Sequence, residues 1–399
     1  MVFKPTAVVR HGARATRSIW PAVARALLVG VAVLAISSVS LTGFALWRVA
    51  KRAGDGAVPL SPEETVPPPT AIDGAFNVLL VGADNAAGQH GFGKAREAAL
   101  NDVNILVHVS ADHTSGTVVS LPRDLVIAHP KCVDAKTGQT YSAMSAQQLN
   151  VAYSRGGLGC VVTTVESLTG VDIPYAGLFT FEGTVKMADA VGGVPVCVTT
   201  AVNDPKSGLR LPKGVSTIRG RTALAYLRAR HRIGDGSDLA RIQSQQAYMS
   251  ALLRKMTSAG TLADPAKLYS LATTTADTVT LSTSLADVGT LVRMAVALKS
   301  VDLDRMVFVQ YPTVPDPANP DKVVPDPVLA DRLVKRVQRD RPVVLDADAL
   351  GVGAVQVGAR PSPRSSPSVT KAAPDKRTIS GLRGRTAAQQ TCSVVNRSR

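Results

Sequence analysis

The sequence predicts an α/β fold: a central mixed β-sheet flanked by helices in an α-β-α layering, preceded by one transmembrane helix. Three observations lead there. An uncharged run of 22 residues, Ala26–Trp47, lies near the N-terminus. Beyond it, short β-rich runs alternate with helical patterns, which implies a sheet covered by helices. The basic excess sits at the two ends. The chain has 399 residues and a net charge of +15. Residues 1–52 carry eight basic and no acidic side chains, 351–399 nine basic and one acidic, and the rest is close to neutral. A nucleic-acid-binding domain would carry the charge on its folded surface, so no nucleic-acid partner is expected. A content of 45% hydrophobic and 19% charged residues excludes wholesale disorder and coiled-coil or collagen repeats.

At about 1.5 Å per residue, 26–47 covers the roughly 30 Å hydrocarbon core of a bilayer. It exceeds the ~7–15 apolar residues of a signal peptide. Lys4, Arg10, Arg14, Arg17 and Arg25 precede it, while Arg48, Lys51 and Arg52 follow, diluted by Asp55, Glu63 and Glu64. This asymmetry puts residues 1–25 inside as a basic cytoplasmic tail and the bulk of the chain outside the cell membrane. Phe44 and Trp47 suit the interface. Residues 48–72, with Val66-Pro67-Pro68-Pro69, read as an extended, solvated stalk.

The folded domain is expected over 73–345. Phe76–Val81, Val103–Val109 and Thr117–Leu121 read as strands, the last two joined as a hairpin by Thr114-Ser115-Gly116. Helical patterns follow at Val161–Leu168, Phe181–Ala190, Arg221–Leu227 and Ser237–Met256, with a strand at Val194–Val198. Residues 312–327 hold six prolines and read as a connector before a helix at Val328–Arg339. Periodicity is lost after Pro342, and 346–399 reads as a flexible basic tail. Cys132, Cys160, Cys197 and Cys392 contain no Cys-x-x-Cys pair and permit three pairings. Cys132 with Cys160 is the expected one, since both lie in the loop-rich stretch between a strand and the next helix. Buried free thiols are the alternative.

The chemistry concentrates between Arg219 and Gln246, where six arginines meet only Asp235 and Asp238. In Leu227-Arg228-Ala229-Arg230-His231 an extended backbone would project Arg228 and Arg230 from one face. Two guanidinium forks suit a ligand with several anionic oxygens, such as a pyrophosphate. On the helix that follows, Asp238, Arg241 and Gln245 share a face. Beside them run Leu239, Ile242, Met249, Leu253 and Met256, so this helix suits a charged head joined to an apolar tail. A core helix with a salt-bridged edge is the plainer reading. Upstream, Asp84 and Asp102 lie at neighbouring strand ends and could hold Mg²⁺. Arg123, in Ser120-Leu121-Pro122-Arg123-Asp124, leaves the sheet edge after a pairing-terminating proline.

Rival motifs fail on chemistry. Gly88–Lys94 matches G-x₄-G-K, but Ala95 stands where a Mg²⁺-binding Ser or Thr is needed, and the loop starts six residues past Gly82. There is no G-x-S-x-G or H-E-x-x-H, and six scattered histidines give no zinc site.

On these residues the chain resembles the LytR-CpsA-Psr family of cell-wall glycopolymer ligases, of actinobacterial type. The carrying motifs are NVLLVGAD, NDVNILVHVS, VVSLPRDLVI, LNVAYSRGG, LTGVDIPYAGLFTFEG, ALAYLRARH and GDGSDLARIQSQQ, covering roughly 73–345. The resemblance implies a membrane-anchored, extracytoplasmic phosphotransferase. Such an enzyme moves a glycopolymer from a polyprenyl-pyrophosphate carrier to a peptidoglycan hydroxyl through a phosphodiester, with pyrophosphatase activity on the side. It implies Mg²⁺ on Asp84 and Asp102, pyrophosphate on Arg123, Arg228, Arg230 and Arg241, and polar support from Asp238 and Gln245. Asp124 and Asp238 are candidate bases. Two positions depart from the family pattern: Leu100 stands for an Arg and Gln148 for a Lys, removing positive charge. The alternative is a non-catalytic wall- or polyprenyl-phosphate-binding protein, the class once labelled transcriptional attenuators.

Overall fold

The computed structural model describes residues 20–84, 99–258, 264–350, 354–357 and 378–395. The chain divides into two units, 1–48 and 49–399. Helix α1 spans Trp20–Asp55. Most side chains of 26–47 lie outside the described set. Among the described residues no helix is long and apolar enough to cross a membrane.

The second unit is built on a seven-stranded mixed sheet. Its strands are β1 (Phe76–Asp84), β2 (Leu100–Val109), β3 (Gly116–Leu121) and β4 (Tyr175–Phe179). A smaller four-stranded sheet includes β5 (Val194–Val198) and β6 (Gly214–Ile218). The large sheet continues with β7 (Val279–Leu281) and β8 (Met306–Gln310). Strands β9 (Ala354–Gln356), β10 (Gly384–Thr386) and β11 (Thr391–Ser393) complete the two sheets. The large sheet runs β7-β4-β1-β2-β3-β8-β10, and the small one β6-β5-β11-β9. The β2–β3 hairpin forms as expected, antiparallel from Asn104↔Leu121 to Val109↔Gly116.

Strand alternation sorts the core into two layers. Leu79, Val81 and Ala83 of β1 pack toward α2 (Ala152–Thr169), through Leu158, Val161 and Val165. Phe76 and Val78 face the opposite side. That side is covered by α3 (Phe181–Ala190), α4 (Gly220–Arg228) and α5 (Asp238–Thr257). Further cover comes from α6 (Pro265–Thr278) and α7 (Val288–Ser300), while α8 (Pro327–Gln338) joins the α2 layer. Five of the helix starts have a local cause. Thr180, Ser237, Asp264, Asp287 and Asp326 all accept a backbone N–H as side-chain caps.

Two expectations are corrected, and the expected connector takes a definite form. The 48–72 stretch is not a free stalk. Ala53, Val58, Leu60 and Ile72 are buried, and Val58 N donates to Leu281 O at 2.9 Å. Its prolines are flanked by apolar residues that find the core. The proline-rich connector forms a hairpin, Thr313–Asp316 with Asn319–Pro325. Residues 378–395, placed in a flexible tail, instead supply β10 to the large sheet and β11 to the small one. Two disulfides join Cys132 to Cys160, as expected, and Cys197 to Cys392, across the paired strands β5 and β11. Arg385 of β10 is 1% exposed and donates through Nη2 to Gln243 O at 3.1 Å. Burial holds its pKa down to about 10. The sequence hides this segment because each of its strands is three residues long, too short for a period-2 signal.

Candidate active site

A β-bulge opens the site. Gly82 pairs with Val103 but Ala83 pairs with Asn101, so Asp102 is the extra residue in β2. Without the bulge, alternation would send Asp102 to the face opposite Val103. With it, Asp102 and Val103 both line a cavity on the helix side. Asn101 turns to the other layer, where its Nδ2 donates to Leu149 O at 3.0 Å and its Oδ1 accepts Tyr153 N at 3.0 Å. The bulge thereby places a carboxylate over an apolar interior.

Around Asp102 lies a chain of alternating charges. Arg123 Nη1 donates to Asp102 Oδ1 at 2.8 Å, and its Nε lies 3.4 Å from Asp124 and 3.5 Å from Asp238. Arg241 Nη2 is 2.6 Å from Asp238 Oδ1. Burial alone would lower the Arg123 pKa, but Asp102, Asp238 and Asp124 together raise it well above its ordinary value. Burial pushes the Asp238 carboxyl up, against the downward pull of Arg241 and Arg123. Burial likewise lowers Arg241, against Asp238. Both carboxylate oxygens of Asp238 and Nε of Arg241 are buried without an aligned hydrogen-bond partner. Their contacts are coulombic, which leaves them able to bond an incoming polar group.

Beneath the charges is a cavity of about 570 Å³. Val103, Ile105 and Val107 of β2 form its floor, and Met187, Met249 and Leu253 are among its walls. Arg123, Arg228, Arg230 and Arg241 line its rim together with Gln245, whose Nε2 donates to Leu227 O at 3.1 Å. Arg228 and Arg230 converge by a route other than a strand. Arg228 is the last residue of α4, and Ala229 turns extended at φ −64°, ψ 128°. Arg228 lies 4.5 Å from the centroid of the Phe181 ring, a cation–π contact.

Most sequence candidates come together. Asp102, Arg123, Arg228, Arg230, Arg241 and Gln245 share one cavity, and Asp238 bridges two of its arginines. Asp84 ends β1, paired in register with Leu100, so its backbone lies beside the bulge; its side chain is outside the described set. The G-x₄-G-K loop, with Lys94 and Arg96, lies outside the described residues. Gln148 Nε2 donates to Asp124 Oδ1 at 2.9 Å, which ties the second departing position to the charged cluster. Of the expected apolar stripe on α5, Met249, Leu253 and Met256 line the cavity, whereas Leu239 and Ile242 do not. Phe181 and Tyr248 were not singled out from sequence. Their signal, an aromatic at a helix start and another seven residues past Arg241, is shared by ordinary core residues.

Fold and site together define a class: an α-β-α domain whose sheet edge sets a guanidinium and carboxylate cluster over a deep apolar cavity. The chain matches the LytR_cpsA_psr family over residues 50–325, more than half its length, and it belongs to that family. It is 32% identical over 267 residues to cell wall biosynthesis protein LcpA of Corynebacterium glutamicum, covering 61% of this chain and 51% of that protein. It is 28% identical over 243 residues to the polyisoprenyl-teichoic acid–peptidoglycan teichoic acid transferase TagT of Bacillus subtilis, covering 59% of this chain and 69% of that one. Among solved structures, a LytR-Csp2A-Psr enzyme from Actinomyces oris superposes with a TM-score of 0.50 at 22% identity, covering 66% of this chain and 89% of that one. That likeness concerns the fold. The chain spans 51% and 61% of the length of the first two curated relatives.

Proposed function

We propose that this protein is a membrane-anchored phosphotransferase of the outer cell surface. It moves a glycopolymer from a polyprenyl-pyrophosphate carrier to a peptidoglycan hydroxyl through a phosphodiester bond. The observation that carries this reading is the union of four arginines with an apolar cavity, since the carrier joins a pyrophosphate to a long hydrocarbon. The uncharged run at 26–47 supports the anchor, and two disulfides support an oxidising compartment. The transferase relatives support the substrate class.

In this mechanism the apolar cavity seats the isoprenoid end and the arginines hold the pyrophosphate. The peptidoglycan hydroxyl attacks the phosphorus that bears the glycan. The new oxygen–phosphorus bond forms as the bond to the distal phosphate breaks, and polyprenyl phosphate leaves with the electron pair. Arg123, Arg228, Arg230 and Arg241 stabilise charge on the transferred group and on the departing phosphate. Asp238, raised by burial and with both oxygens free of hydrogen bonds, accepts the hydroxyl proton.

Two carboxylates at neighbouring strand ends are the donor type that a hard cation takes. Asp102 faces the cavity, and Asp84 lies across the β1–β2 pairing, close in register. Four arginines against Asp84, Asp102, Asp124 and Asp238 sum to zero, whereas a pyrophosphate diester carries two negative charges. Mg²⁺ bound by Asp84 and Asp102 would neutralise that charge, completing its shell with phosphate oxygens and water. Among the described residues no group of three His, Cys, Asp or Glu side chains is placed to hold a metal by itself.

A second reading, a non-catalytic carrier-lipid binder, is favoured by one observation: Arg123 and Arg241 are already paired with aspartates. The test is release of polyprenyl phosphate from a carrier-linked donor by the purified full chain with Mg²⁺ and wall fragments. Release is expected from the wild type and lost in Arg228→Ala and Arg230→Ala. Binding without release would replace the transferase by the binder, and unchanged release in both variants would overturn the arginine clamp.

A further inference from the structure

A second cavity of about 300 Å³ shares no lining residue with the first. It lies at the same sheet edge as Arg123, one strand away. Strands β3 and β8 are parallel neighbours with Gln310 opposite Ser120, and Tyr311 N donates to Ser120 O at 2.9 Å. Arg123 leaves β3 three residues after Ser120, while Gln310 and Tyr311 line the second cavity at the end of β8. Adjacent strands are separated by about 4.8 Å. The first turn of α5 stands between the sites: Asp238 and Arg241 face the charged cluster, whereas Leu239, Ala240 and Gln243 line the second cavity. Its outer wall is Gly381–Arg383. That segment lies beyond the residues matched to the family and is held in place by β10 and the Cys197–Cys392 bond.

The lining is unlike the arginine cluster. Gln243 is 9% exposed, and its Oε1 is buried with no hydrogen-bond donor. Rotation of this amide toward the cavity that Gln243 lines would let a ligand hydroxyl or an ordered water supply the donor it lacks. Asp326 Oδ1 accepts Val328 N and Leu329 N at 3.0 and 2.9 Å, which fixes that carboxylate in the wall. Arg383 is the single cation against Asp235 and Asp326, so the cavity is net negative and disfavours a phosphate. Leu329, Leu382 and Pro312 add apolar surface. Acceptors, an amide and a guanidinium around an apolar patch match a pyranose ring, which has donor and acceptor hydroxyls on its rim and C–H groups on its faces. The volume is at the low end of the ~300–1,000 Å³ range of ligand pockets and suits one ring better than a chain.

We propose that this cavity is a carbohydrate subsite. It binds one neutral or amino-sugar ring of a glycan whose phosphate lies in the neighbouring arginine cluster; the last clause rests on the transferase reading. The ring could belong to the carrier-linked donor or to peptidoglycan. The test is saturation-transfer NMR with calorimetric titration on the full chain in detergent micelles. Two phosphate-free probes are used: a panel of neutral hexoses, and the N-acetylglucosamine–N-acetylmuramic acid disaccharide. The expected result is saturable binding, weakened at least tenfold in Arg383→Ala and in Gln243→Leu, while both variants bind a polyprenyl phosphate analogue as the wild type does. Arg383 is exposed, so its variant tests the site without disturbing the core. Preference for the disaccharide assigns the subsite to the acceptor, and preference for hexoses assigns it to the donor. Absence of saturable binding by every probe, or equal affinity in wild type and both variants, overturns the proposal. Because the readout is binding, it is decided independently of whether polyprenyl phosphate is released.

Discussion

Filling the large cavity is the most direct way to test its role as a lipid seat. Val107 lies on the floor of β2, half-buried, with its side chain on the cavity face. Val107→Phe projects a ring into space that no side chain occupies and displaces about one five-carbon isoprene unit of a bound tail. At about 0.8 kcal/mol for each buried CH₂, that displacement costs about 4 kcal/mol of binding, or roughly a thousandfold in affinity. The fold should not suffer, because the added ring enters a void rather than a packed core. The assay is equilibrium binding of a fluorescent polyprenyl phosphate to the full chain in detergent, beside a urea melt. A weakening of two to three orders of magnitude with an unchanged melt is expected. Wild-type affinity in a folded variant would show that the tail lies elsewhere, and the reasoning from cavity to carrier would fail with it.

Three further outcomes follow from the geometry. Asp238→Ala strips the carboxylate from Arg241, whose side chain is 9% exposed. Breaking a buried pair in this way should lower unfolding free energy by about 3–5 kcal/mol in urea melts, and Asp238→Asn, which also leaves Arg241 without its counter-charge, should lower it too. The Cys197–Cys392 bond closes a sequence separation of 195 and the Cys132–Cys160 bond one of 28. Chain entropy then assigns about 5 and about 3.5 kcal/mol respectively, so Cys392→Ser should be the more destabilising; the reverse order would contradict the docked C-terminal segment. Burial lowers the His108 pKa from 6.5, against the upward pull of Asp340 3.0 Å away, and burial lowers His129 as well. The unfolded chain therefore binds more protons, so stability is full above pH 6.5 and declines as pH falls through it. His108→Gln should flatten that decline in melts taken on either side, and an unchanged slope would remove His108 as its source.

The contrast between the two cavities shows which arrangements are legible in a sequence. Arg123, Arg228, Arg230, Arg241 and Gln245 stand in short motifs whose spacing marks them before any coordinates. The second cavity draws its walls from α5, from the end of β8 and the residues after it, from the start of α8 and from 381–383, segments far apart in the chain. Nothing local marks Gln243 or Arg383 as partners.

By itself the sequence determined the three strands between Phe76 and Leu121, the strand at Val194–Val198, five of the helices, the arginine-rich segment and the pairing of Cys132 with Cys160, because each is written in local periodicity, turn chemistry or proximity along the chain. Only the tertiary structure decided that the bulge at Asp102 turns a carboxylate into the cavity. It alone showed that Arg228 and Arg230, expected on one face of a strand, meet at a helix end, and drew residues 378–395 into both sheets. Those outcomes depend on which strands pair and which faces bury, and a three-residue strand or a single extra residue in a ladder leaves no period for sequence to show.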